Sequence, residues 1–210
     1  MIKIRSFKPS TIQQFFLSYC MDSALVLART RKWVANFIVG HNFCPFAAKP
    51  LQQNKVRFVA SEATDQESLM MDLWQEATHL LDQTAEQLET TILVHPEVLT
   101  SFEDYLDFLG AAELLLEERE WDDELQIASF HPDYLFDGVD PEDNSHYTNR
   151  SPYPMLHLLR QDSVSWAVDT HPDIESVPER NVAWLQAKEK AEIRQKWDEF
   201  RTFVPDQSLE

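Results

Sequence analysis

The sequence predicts an α/β (or α+β) fold: a small central sheet of three to four strands built as β-α-β-α-β, with flanking N- and C-terminal helices. Two observations carry this. Short apolar and β-branched runs alternate with helical stretches, and each of those opens on a capping-box pattern, Thr64-Asp65-Gln66-Glu67 or Thr100-Ser101-Phe102-Glu103. The helical links are also long enough to cross over between parallel strands. An antiparallel, ferredoxin-like arrangement of the same elements stays open.

In order along the chain, residues 1–20 show no clear period and read as an appendage. Asp22 or Ser23 caps a first helix running to about Val39, with Val26, Trp33, Val34, Phe37 and Ile38 on one face and Gly40 as its stop. Pro45 and Pro50 keep the next segment extended or turned. Lys55 to Ala60 reads as a strand, and the helix after it carries Leu69, Leu73, Ala77 and Leu80 at core spacing. Thr90 to His95 is a second strand, stopped by Pro96. The next helix is expected to bury Tyr105, Leu106, Leu109, Ala112 and Leu116, and Leu125 to Phe130 is a third strand. After an acidic loop, Ser151-Pro152 resembles an N-cap followed by N1, which predicts a helix from there to about Arg160. Residues 163–168 read as a further helical turn or two, with an edge strand as the alternative. Ser176-Val177-Pro178-Glu179 opens one long charged helix to about Arg201, with Ile193, Trp197 and Phe200 as its apolar stripe.

The totals narrow the function classes. A chain of 210 residues fits one domain, placed at 21–201 with a loose tail at 202–210. The net charge of −18 disfavours phosphate backbones, so no nucleic-acid partner is expected. Three glycines leave no room for a Gly-rich phosphate loop. Cys20 and Cys44 form neither a disulfide framework nor a metal-type spacing, so no metal is assigned and the cofactor is unknown. No apolar run approaches a membrane span or a signal-peptide core, so neither membrane nor secretion is expected and the cytoplasm is the default compartment.

Candidate site residues gather between Phe130 and Arg160. His95 and His131 follow predicted strands, and ligands of parallel sheets bind beyond the strands' carboxyl ends. Asn149, Arg150 and Ser151 stand at the predicted helix start, where free N–H groups favour an anion; His157 and Arg160, three apart, share a face of that helix. Tyr134 and Tyr153 would line a ligand. Cys44 is a nucleophile only with a lowered pKa and a base such as His41 or His131 beside it.

Long motifs also carry a family resemblance: Asn42-Phe43-Cys44-Pro45-Phe46-Ala47, Thr91-Ile92-Leu93-Val94-His95-Pro96, Gln126 through Tyr134, and Thr148 through Arg160. Over roughly residues 25–185 the chain resembles the bacterial domain-of-unknown-function family 1415. The resemblance implies a single cytoplasmic domain and brings no activity, cofactor or catalytic residue with it. The expected function is a small-molecule-binding protein or enzyme. A small anionic metabolite (phosphate or carboxylate) would sit at the strand rim, with His131 or His157 as acid–base group. The alternative is a non-catalytic interaction or structural protein in which 130–160 is an internal polar lock. A metal-dependent hydrolase is a lesser alternative.

Overall fold

The structure, a computed structural model, describes residues 22–205. The appendage assigned to 1–20, including Cys20, and the last five residues lie outside this range. Helix α1 (Ser23–Trp33) is capped by the Asp22 side chain, which accepts from the Ala24 N–H at 2.9 Å. It runs on into a π-helical turn, Val34–Val39. Gly40 ends it, and a Cβ at that position would collide with the Asn36 carbonyl, so the wider turn requires glycine there. Short α2 (Ala48–Gln52) precedes β1 (Val56–Ala60). Then come α3 (Gln66–Leu81), β2 (Thr90–Val94), α4 (Phe102–Glu118) and β3 (Leu125–Phe130). Both predicted caps operate one residue later than the pattern suggests: Asp65 accepts from Ser68 N–H, and Ser101 from Asp104 N–H.

The predicted helix at 151–160 is corrected. Met155–Arg160 is strand β4, inserted antiparallel between β2 and β3 in the order β1-β2-β4-β3. Strand β1 pairs parallel with β2, so β1, β2 and β3 all run one way and β4 runs against them. Helix α5 (Gln161–Thr170) follows β4 with no intervening loop, which settles 163–168 as helix. The single long C-terminal helix is also corrected, to α6 (Val177–Gln186) and α7 (Lys190–Thr202).

Strand alternation assigns the two faces. Phe58, Ile92, Val94 and Met155 face α1, its π turn and α7, whose Ile193, Trp197 and Phe200 are buried as the stripe predicts. Leu93, Leu156, Leu158 and Leu125 face α3 and α4. Helix α4 buries Tyr105, Phe108, Ala112 and Leu116, whereas Leu106 is 46% exposed. The Tyr105 hydroxyl donates to the Met155 carbonyl at 2.9 Å and accepts from the Phe130 N–H at 3.0 Å, fixing α4 to the end of β3 and the start of β4.

Candidate functional site

The residues singled out in 130–160 separate into two places. The first is the rim where β1, β2 and β3 end and β4 begins. His131 is fully buried there; the Asp133 N–H reaches its Nδ1 at 3.0 Å, and Nε2 lies 3.0 Å from the Leu99 carbonyl. An N–H must meet a lone pair, so the ring is neutral with its proton on Nε2, donated to Leu99. Burial moves its pKa down, partly opposed by the Leu99 carbonyl and Asp133. His146, which sequence reasoning passed over, is held the same way: Nδ1 accepts from the Phe136 N–H and Nε2 donates to the Asp140 carbonyl.

Asn149 and Ser151 are likewise spent on the main chain. Asn149 Nδ2 donates to Ser129 O at 3.1 Å, and Ser151 Oγ donates to Tyr153 O at 2.6 Å. The Tyr153 hydroxyl accepts from Arg29 at 2.8 Å. Tyr134 packs on Phe102 and Phe136, and its carbonyl accepts from Arg150 Nε at 3.1 Å. Arg150 also lies over the Tyr147 ring, 4.9 Å from its centroid, and makes no ion pair among the described residues. With β4 in place of the predicted helix, Ser151 has no helix N-terminus and no set of free N–H groups to offer an anion. His95 is sealed beside Tyr105: Nδ1 donates to Val98 O at 2.9 Å, Nε2 has no partner, and burial lowers the pKa to about 4.

The second place is at the opposite end of the sheet. There His157 and Cys44 border an apolar pocket of about 310 Å³. Its floor is the α1-side face of the sheet, with Val56 and Thr90 at the starts of β1 and β2, Gln126 of β3, and His157 and Leu159 of β4. Val34 of the π turn and Cys44, Phe46 and Pro50 form one wall; Val164, Ala167 and Val168 of α5, with Ile174, form the other. Phe46, Pro50, Glu89, Ser163 and Ala167 also border an outer groove that adds Lys49, Lys55, Glu86, Asp162 and the exposed Trp166. Chain reversal in β4 and the helix immediately after it build this chamber; the helical turns at 163–168 are legible in the sequence, the reversal is not.

The chemistry inside is muted. The Thr90 hydroxyl spends its one proton on the Leu158 carbonyl, so at 2.7 Å it must accept from His157 Nε2–H. His157 borders the pocket, and burial lowers its pKa to about 4. Such an imidazole is neutral and too weak a base for efficient proton transfer near neutral pH. Burial pushes the Cys44 thiol up, against the N–H groups of Phe46 and Ala47. His41 does not line the pocket; its ring packs at a tilt against Trp184, centroids 4.4 Å apart, and accepts from Lys196 at 3.3 Å. No thiolate–imidazole pair forms with His41 or His131. Nε and Nη2 of Arg160 donate to the carbonyls of Leu80, Gln83 and Leu88.

The comparisons with known proteins agree with the motifs. The family described as "Protein of unknown function (DUF1415)" matches residues 25–195. The chain belongs to this family. The match takes in every strand of the sheet and both places just described. No curated protein and no solved structure matches the chain. Among the described residues, no helix is long and apolar enough to cross a membrane, and no group of three or more His, Cys, Asp or Glu is arranged to hold a metal ion.

Proposed function

We propose that this protein is a small-molecule-binding protein whose ligand occupies the apolar pocket between the sheet and α5. The pocket itself carries the reading. It has ligand-sized volume and nearly continuous apolar walls, and its few polar groups converge from separate strands. The neutral His157 and the protonated Cys44 favour binding over proton-transfer or thiolate chemistry. In this reading the 130–154 segment is an internal polar lock: His131, His146, Asn149 and Ser151 satisfy main-chain groups of an excursion that carries the chain from β3 to β4. N-Phenyl-1-naphthylamine, a neutral fluorophore, should bind wild-type protein and gain fluorescence. Val164→Trp, which fills the chamber, should abolish that gain while the melting temperature shifts by only a few degrees. Equal fluorescence in the filled variant would place the dye elsewhere and remove the pocket from consideration.

One observation favours a second ligand at the rim. Arg150 is a half-buried cation with no carboxylate partner among the described residues, and an anionic metabolite would supply one. Millimolar phosphate or pyrophosphate should then raise the melting temperature of the wild type but not of Arg150→Ala. An identical shift in both proteins would rule this reading out.

A further inference from the structure

We infer that the pocket ligand is an electrically neutral, mostly apolar molecule that presents a hydrogen-bond donor, a hydroxyl or an N–H, to Nδ1 of His157. The inference rests on the pocket being the binding site, and the ring's own bonding carries it. Thr90 has one hydroxyl proton, which goes to the Leu158 carbonyl, so the His157 proton must be on Nε2 and the lone pair on Nδ1. Nδ1 has no partner among the described residues and is not among the sealed orphan atoms, while His157 itself borders the pocket. The chamber therefore holds an acceptor with nothing to accept. Lowered basicity keeps it an acceptor rather than a cation when a donor arrives.

Charge argues the same way. Arg160 is the one guanidinium bordering the chamber, and strand alternation sends its side chain to the opposite, α3-facing side of the sheet, where Nε and Nη2 donate to the Leu80, Gln83 and Leu88 carbonyls. Glu89 borders both the chamber and the outer groove, which places a carboxylate at the mouth. An anion would meet Lys49 and Lys55 in the outer groove, but no residue bordering the chamber itself besides Arg160 is a cation. A cation would leave Glu89 behind and lose its hydration against apolar walls. Gln126 lies on the same sheet face, one strand over and diagonal to His157, and its amide makes no hydrogen bond among the described residues. It can complete recognition of a small polar group without adding charge.

Titration calorimetry with 1-naphthol, 1-fluoronaphthalene and 1-naphthoate separates these terms, because the three share one ring system. The wild type should bind 1-naphthol about threefold to tenfold more tightly than 1-fluoronaphthalene, the effect of one net hydrogen bond. It should bind 1-naphthoate most weakly. In His157→Phe the preference for naphthol should collapse to about unity while the fluoro compound still binds. Nitrogen-15 spectra of wild-type His157 should show the neutral Nε2–H ring, with Nδ1 shifting on addition of naphthol. Equal wild-type affinity for naphthol and its fluoro counterpart would overturn the donor inference and leave the pocket standing. Tightest binding of naphthoate would overturn neutrality. Failure of all three to bind would remove the pocket reading itself.

Discussion

Lowering the pH from about 7 to about 5 is expected to cost this protein about 4 kcal/mol of folding stability, through His95 and His157. Burial lowers both pKa values from 6.5 to about 4. The fold holds these rings neutral, so the unfolded chain takes up the proton first. Their contribution is complete above pH 6.5, declines as the pH falls below that value, and is exhausted near pH 4. Each ring accounts for about 2 kcal/mol by pH 5. His131, also lowered by burial, acts in the same direction. The expectation has a distinctive sign. In a chain of net charge −18, protonating carboxylates relieves repulsion and stabilises the compact state, but that happens mostly below the window where the histidines act. Urea melts at half-unit pH intervals would test it. The pair His95→Asn and His157→Gln should flatten the slope, since Asn supplies a donor in place of Nδ1–H and Gln one in place of Nε2–H. A wild type equally stable at pH 7 and pH 5 would mean that the rings titrate as if exposed.

Arg160→Ala is expected to destabilise the fold by about 3 to 4 kcal/mol. The guanidinium donates to Leu80 O at 2.6 Å, Gln83 O at 2.7 Å and Leu88 O at 3.1 Å, closing the C-terminal turn of α3 and the approach to β2 from the last residue of β4. Removing it strands these carbonyls and deletes a cation from the negative end of α3. Arg160→Lys keeps the charge but loses the planar fork, so it should recover only about half of the loss. Hydrogen exchange should accelerate first across residues 82–89. A loss under about 1 kcal/mol would mean that water replaces the fork without penalty.

What could be read in advance was what local chemistry encodes. The helix–strand alternation from Val56 to Phe130 came through because side-chain caps, helical spacing and short β-branched runs mark each boundary. Strand β4 was opaque for a physical reason. Met155-Leu156-His157-Leu158-Leu159-Arg160 lies in the middle of the sheet with both faces covered, so it shows no alternation, and Ser151-Pro152 just before it imitates a helix start. In Tyr105-Leu106-Asp107-Phe108-Leu109 several apolar residues compete for the buried face, and only the packed phase of α4 selects Phe108 over Leu106. The π turn has no local signature beyond Gly40. The convergence of His131, Asn149, Arg150 and Ser151 on one rim was foreseeable, but their use as main-chain partners was not. The pocket was beyond reach because its walls come from Cys44, Val56, Thr90, Gln126, His157 and Val164, residues brought together only once β4 is in place.

The sheet order also dictates when this protein can finish folding. Strand β3 has no neighbour of its own until β4 arrives on its inner side, and β2 lacks its second partner until the same moment. A nascent or truncated chain ending before residue 155 therefore carries an open β2 edge and an unpaired β3, both able to pair with other chains. Strand β4, the last in sequence among the described residues, is the one that joins the halves, so a late, long-range step should limit the folding rate. Shortened versions from the C-terminal side should aggregate rather than persist as folded β-α-β-α-β intermediates.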